Sequence, residues 1–146
     1  IDVEVRAVAP HMHWLGREVE MYAVLPSGER RNLIRIEDWC FERHDFYYLA
    51  EPLPLPKGTE VWIVGRFDNS ADNPRNPHRP PRDVRWGPGT DDEMLLGFLG
   101  LTQDGVDLTR PRAKDELGSL LRAEQTARER LKRRELESST SREGSE

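Results

Sequence analysis

The chain has 146 residues, with 22 basic and 27 acidic side chains, a net charge of −5 and a single cysteine, Cys40. The acidic balance argues against a nucleic-acid-binding protein, because phosphate recognition requires clustered lysine and arginine. One cysteine excludes an internal disulfide. No apolar run approaches the ~20 residues that a membrane-spanning helix requires, so we expect no membrane span.

Two regions of different composition make up the chain. Residues 1–109 hold 12 basic and 19 acidic side chains, whereas residues 110–146 hold 10 basic and 8 acidic ones. We therefore predict a folded body over 1–109 and a separate charged tail over 110–146. The chain opens with Ile1 in strand-like sequence, and we expect it to be a piece of a longer protein.

The body has the pattern of short β-strands divided by turns. Residues 1–6 alternate apolar and charged side chains, which predicts a half-buried strand. Residues 19–36 predict a hairpin with its turn at Gly28. Residues 45–67 predict an aromatic strand, a proline-rich connection and a further apolar strand.

A long irregular segment precedes the last predicted strand. Residues 68–90 are dense in Asn, Asp, Pro and Gly, which predicts a loop, and a loop of this length in a compact domain is often functional. The apolar run 93–102 predicts another strand. About seven or eight short strands without a helix predict an all-β body, an antiparallel β-sandwich of the jelly-roll type.

The tail changes to a helical pattern. From Ala113 to about Glu137, leucines recur among Arg, Glu, Ala and Lys, which predicts a charged C-terminal helix. Its apolar stripe is thin, so the helix would be marginal by itself. The final SSTSREGSE predicts a disordered end.

The histidine pair in PHMHWLG is the strongest candidate for chemistry. On a strand, residues i and i+2 share a face, so His11 and His13 project side by side with Cα atoms roughly 6.5–7 Å apart. Both imidazoles can then reach one metal ion, and neutral imidazole suits copper, zinc, iron and nickel alike. An isolated pair of this kind is more often two surface histidines, and spacing alone identifies no third ligand.

Several segments resemble one enzyme family in the same order. HMHWLGREV resembles the H-x-H-x-L-G-x-x-V segment of the copper type II, ascorbate-dependent monooxygenases, the family of peptidylglycine α-hydroxylating monooxygenase and dopamine β-monooxygenase. PLPLPKGTEV resembles the family's proline-rich connection. RFDNSADNPRNP followed by VRWGPGTDDEMLLGF resembles its bacterial members. The similarity runs from Pro10 to Leu101 and implies the family's C-terminal catalytic domain, a jelly-roll β-sandwich.

By position, the resemblance implies His11, His13 and Met94 as copper ligands. A thioether is a soft ligand that favours Cu(I), while imidazole tolerates both copper states. Taken without the resemblance, Met94 reads as a core methionine in an apolar strand. His44 is either a hydrogen-bonding residue beside the metal or a partly buried strand histidine.

The resemblance also implies an activity. In the family, this domain uses copper and dioxygen to hydroxylate a substrate C–H bond, with ascorbate as the usual reductant. We therefore expect an oxygen-activating copper domain of a monooxygenase, in a periplasmic or extracellular setting. The alternatives are a non-catalytic copper-binding or electron-transfer module, and an interaction domain that has lost its metal.

The sequence departs from the family pattern in two ways. A second copper site requires three histidines, and only His44 and His78 remain, so we expect a partner domain or another electron donor. The Arg, Asn and Tyr that hold a peptide carboxylate in amidating members are replaced by Ala9, Leu96 and Phe98. A peptide carboxylate is therefore a poor candidate, and the small-molecule substrate stays open.

Overall fold

The computed structural model describes residues 1–107, 109–110, 114–115, 118–119 and 122–123. The chain divides into two compact units, Ile1–Asp104 and Gly105–Glu146, and every β-strand among the described residues belongs to the first. The predicted helix over 113–137 lies mostly, and the predicted disordered end lies wholly, outside the described residues. Within the described ranges, no helix has the length and hydropathy needed to cross a membrane.

Six β-strands form two antiparallel sheets of three strands each. They are β1 (Val3–Met12), β2 (Gly16–Val24), β3 (Arg30–Ile36), β4 (Tyr47–Leu55), β5 (Glu60–Phe67) and β6 (Leu95–Thr102), with a 3-10 turn at Phe41–Arg43. One sheet has the order β4-β1-β6 and the other β3-β2-β5. The all-β prediction for the body is confirmed.

The strand count in the first unit is lower than the seven or eight that the turn signals predict. Some strands are longer than the sequence predicts. One strand, β1, extends through His11, and β4 continues through Pro52 and Pro54. Proline lacks the N–H that a central strand must donate, and it is tolerated in β4 because this strand lies at a sheet edge.

The hairpin and the long loop occur where the sequence predicts them. The turn between β2 and β3 places Gly28 at φ 85°, and its N–H donates to the Leu25 oxygen at 2.8 Å. Positive φ favours glycine, which has no Cβ. The loop between β5 and β6 has no regular structure, yet it buries Asn73 and Asn76. The Asn73 amide donates to the main-chain oxygen of Asp68 at 2.7 Å, which fixes the loop from inside.

The inward faces of the two sheets share an apolar core. Val5 and Val8 of one sheet cluster with Met21, Ala23 and Leu33 of the other. A second cluster around Met12, Val19 and Trp39 closes the end of the core. Burial of these side chains is the main favourable contribution to folding, at roughly 1.5–3 kcal/mol for each large apolar residue.

A β-bulge in β1 decides which face the histidines occupy. Val5 pairs with Leu101, but Ala7 pairs with Gly100, so one extra residue is accommodated in β1. Val5 points inward before the bulge, and Val8 and Met12 point inward after it. An unbroken alternation would have turned the odd-numbered histidines into the core along with Val5. The bulge turns His11 to the outer face instead.

Candidate metal centre

His11 and His13 stand side by side at the end of β1. Their ring centroids are 5.1 Å apart and the rings meet edge-on. Two imidazoles that bind one ion at ~2.0–2.1 Å with a roughly tetrahedral angle have centroids about 5 Å apart. The separation of the two rings therefore matches that expected for a shared ion. Met12, between them in sequence, is fully buried in the core and points the other way.

A hydrogen bond fixes the protonation pattern of His13. Its Nδ1 lies 2.9 Å from the main-chain oxygen of Asp92. A carbonyl oxygen only accepts hydrogen bonds, so Nδ1 is the donor, and in the neutral tautomer of this ring Nε2 carries the lone pair. Metal-binding histidines usually have this arrangement, with one nitrogen donating to the protein and the other facing the ion.

Glu93 holds the end of β1 against the start of β6. Its Oε1 accepts the main-chain N–H groups of His13 at 2.5 Å and Met94 at 2.9 Å. Its Oε2 accepts the N–H of Leu15 at 2.9 Å. Sequence analysis assigned no role to Glu93, and the one available signal was its place beside a predicted ligand in Asp-Glu-Met. The structure identifies it as the carboxylate that positions both predicted ligand segments.

Met94 lies directly before β6 and next to the histidine pair along the sheet. His11 pairs with Leu96 and Met12 pairs with Leu95, and Met94 stands one residue before the first paired residue of β6. The main-chain N–H groups of Met94 and His13 both donate to Oε1 of Glu93. The main chain of Met94 is therefore close to that of His13, although 80 residues of chain separate His13 from Glu93.

His44 approaches the same cluster from the connection between β3 and β4. Its ring centroid is 4.9 Å from that of His11. The ring stacks on Phe41 with centroids 5.4 Å apart and on Trp39 with centroids 5.8 Å apart. Nδ1 is hydrogen-bonded to the main-chain oxygen of Phe41, so Nε2 of His44 also keeps its lone pair. Three of the four histidines in the chain therefore meet at one place.

Aromatic residues enclose the inner side of this cluster. The Phe41 ring lies 5.4 Å from the His13 ring, and the indole N–H of Trp39 donates to the His13 main-chain oxygen at 3.2 Å. A Cβ on Gly16 would lie 2.8 Å from atoms of both Met12 and Trp39. The glycine of the Leu-Gly step is therefore required by close packing under the histidines.

The electrostatic setting favours the neutral form of His11. Burial lowers the pKa of His11 below its usual value, and the neighbouring His44 and His13 lower it further. A protonated imidazole would face two potential cations at short range. Since only neutral imidazole binds a metal, the lowered pKa favours the form of His11 that can act as a ligand.

The cluster does not form a closed metal cage by itself. Among the residues that the structure describes, no group of three or more His, Cys, Asp or Glu side chains is arranged to hold a metal ion. The His11 ring lies about 5 Å from the His13 ring and from the His44 ring. These two distances do not place all three rings around one common point. Methionine sulfur lies outside that set of donor types, and Met94 as a ligand stays a prediction.

Comparison of the chain with protein-family models, with curated proteins and with solved structures returns no match. The functional argument therefore depends on the motifs of the sequence and on the geometry of this cluster.

Proposed function

We propose that this domain binds one copper ion through His11, His13 and Met94, and that it is the oxygen-activating domain of a copper monooxygenase with a jelly-roll fold. The hydrogen bond from His13 to Asp92 carries the proposal. It joins the two motifs that resemble the family, His-x-His and Asp-Glu-Met, and this supports a metal site to which both motifs contribute.

The donor set fits copper better than the other common metals. Two neutral imidazoles accept both copper oxidation states, and a thioether adds preference for Cu(I). Zinc sites rarely use methionine, and zinc has no redox chemistry. When bound, copper would supply the one-electron chemistry with dioxygen that amino-acid side chains lack.

The protein's own residues orient the proposed ligands and supply an apolar surface beside them. Asp92 and Glu93 fix the orientation of His13. On the outer face, His11 pairs with Leu96 and Ala9 pairs with Phe98, and the Phe98 side chain is 51% exposed. These apolar groups occupy the positions of the family's carboxylate anchors, so we expect a small substrate that presents an apolar C–H bond.

Electrons must come from outside this domain. His78 is the fourth histidine, and it accepts a hydrogen bond from Arg82 in the loop between β5 and β6. Besides the two proposed ligand histidines, only His44 and His78 remain, and two histidines do not suffice for a second copper site of three imidazoles. We therefore propose that a separate copper or electron-donor domain supplies the electrons for the reaction of dioxygen with substrate. Ascorbate would be the external reductant.

A second candidate is a non-catalytic copper-binding or electron-transfer module. The closeness of His44 to His11 favours it, because a nitrogen-rich shell binds copper whether or not oxygen reacts there. Both candidate functions include copper binding, but only the monooxygenase converts a substrate.

Copper titration of the wild type, His13→Ala and His78→Ala tests the shared claim. We expect one copper per chain in the wild type and His78→Ala, and loss of tight binding in His13→Ala. X-ray absorption of the Cu(I) form should show a sulfur scatterer with nitrogen. Substrate-dependent oxygen consumption with ascorbate then supports the monooxygenase, whereas copper binding without turnover supports the non-catalytic module.

A further inference from the structure

We propose that His44 is a direct nitrogen ligand of the metal held by His11 and His13, so that the site is a three-imidazole centre. The inference rests on the proposed function, because it names a further ligand of the same site. Sequence spacing gives no reason to group His44 with the pair, because His13 lies 31 residues before it. The reason to group them is that the three rings lie close together in the fold.

The ring separations satisfy the first requirement. His44 lies 4.9 Å from His11, and His13 lies 5.1 Å from His11, measured between ring centroids. Both values match the ~5 Å expected for two imidazoles on one ion. The three rings do not share a centre as they stand, and because His44 is exposed, a small adjustment of its ring toward His11 and His13 would displace no core residue.

The tautomer of His44 satisfies the second requirement. Its Nδ1–H donates to the main-chain oxygen of Phe41, just as His13 donates to Asp92. Each ring therefore presents Nε2 with its lone pair away from the protein hydrogen bond. Metal-binding histidines commonly donate their other ring N–H to a carbonyl oxygen in this way.

The segment that carries His44 is held on both sides. Its ring stacks on Phe41 and on Trp39, and Trp39 itself is 2% exposed. From the outside, Arg75 donates to the main-chain oxygen of Trp39 and pairs with Asp38 at 2.9 Å. The connection between β3 and β4 is thus anchored to the long loop, which limits how far His44 can move from His11.

A third imidazole changes which oxidation state of copper the site prefers. Nitrogen donors stabilise the divalent ion relative to a shell dominated by soft sulfur. We therefore expect removal of His44 to weaken Cu(II) binding more than Cu(I) binding. Removal of Met94 should do the opposite, which separates the two ligands by their effect on each oxidation state.

The test compares His44→Ala with His78→Ala by electron paramagnetic resonance of the Cu(II) form and X-ray absorption of both copper forms. We expect three imidazoles in the wild type and His78→Ala, and two in His44→Ala. Cu(II) affinity should fall by at least about tenfold in His44→Ala, since loss of a ligand should cost no less than loss of a hydrogen-bond partner. An unchanged imidazole count in His44→Ala overturns the inference, while the copper site of the pair survives.

Nitrogen-15 NMR of the unmodified chain gives a second measurement that does not depend on a variant that folds. Titration with Cu(I), which is diamagnetic, should shift the Nε2 resonances of His11, His13 and His44 together and leave His78 unshifted. A shift confined to His11 and His13 overturns the inference and supports the proposed function. The absence of a shift at all three overturns both.

Discussion

The imidazole of His13 donates from Nδ1 to the main-chain oxygen of Asp92 at 2.9 Å, across 79 residues of sequence. The contact links the end of β1 to the segment that leads into β6. It leaves Nε2 of His13 free for a metal. Because the acceptor is a main-chain atom, the interaction depends on the path of the backbone and not on the side chain of residue 92.

Met94→Leu tests the thioether, with Met12→Leu as its control. Leucine is nearly isosteric with methionine, so either change should cost less than about 1.5 kcal/mol of stability. We expect Met94→Leu to weaken Cu(I) binding by at least about tenfold and to remove the sulfur scatterer. Met12 is fully buried on the inward face, so Met12→Leu should retain both. Equal Cu(I) affinity in the two variants would remove Met94 from the ligand set.

Glu93→Gln tests the carboxylate that accepts three main-chain N–H groups. The amide nitrogen of glutamine would face one of these donors, and the end of β1 would shift. We expect copper affinity to fall by roughly 10–100-fold, as for other groups that orient metal ligands. Glu51→Gln, at an exposed position of β4, is the control, and isothermal titration calorimetry is the measurement. If both variants bind copper like the wild type, Glu93 has no positioning role.

Gly16→Ala tests the packing beneath the histidines. The added methyl group would lie 2.8 Å from Met12 and Trp39 atoms, and overpacking of this kind typically costs about 1–3 kcal/mol. We expect a lower denaturation midpoint in urea without a change in slope. Gly28→Asn is the control, because nothing lies within 4 Å of a Cβ there and asparagine tolerates positive φ. A midpoint shift no larger than that of the control would contradict this packing argument.

Asp38→Asn tests the ion pair that anchors the His44 segment. The hydrogen bond from Arg75 lowers the pKa of Asp38, and the positive charge of Arg75 lowers it further. A carboxyl group with a depressed folded-state pKa adds stability above its unfolded value of about 3.9, and this stability is lost as pH falls through the folded value. The urea midpoint of the wild type should therefore be higher than that of Asp38→Asn from about pH 5 to 7. This difference in midpoint should vanish at more acidic pH.

The effect of Asp38 should be small, since the side chain is largely exposed and its ion pair is screened by solvent. Asp72→Asn, at an exposed position of the long loop, is the matched control and should show a smaller difference. A midpoint gap between the wild type and Asp38→Asn that persists unchanged to pH 2 would indicate a cause other than this titration.

Much of the body could be predicted from local pattern. Period-two alternation, the glycine turns and the Asn- and Pro-rich loop mark elements whose physics is local, because strand faces and turn conformations depend on neighbouring residues. The sequence predicted an antiparallel β-sandwich as a class of fold, but it did not predict which strands pair. Which strand lies beside which depends on long-range packing that no local pattern records.

The candidate site divides in the same way. The sequence by itself determined that His11 and His13 share a strand face, because alternation along a strand has period two. Only the tertiary structure decided that this face is the one opposite the core residues Val8 and Met12, because one extra residue accommodated between Val5 and Ala7 reverses the alternation. It also decided that His44 and Glu93 meet the pair, since these contacts arise from chain segments brought together by the shared core and not from their spacing in sequence.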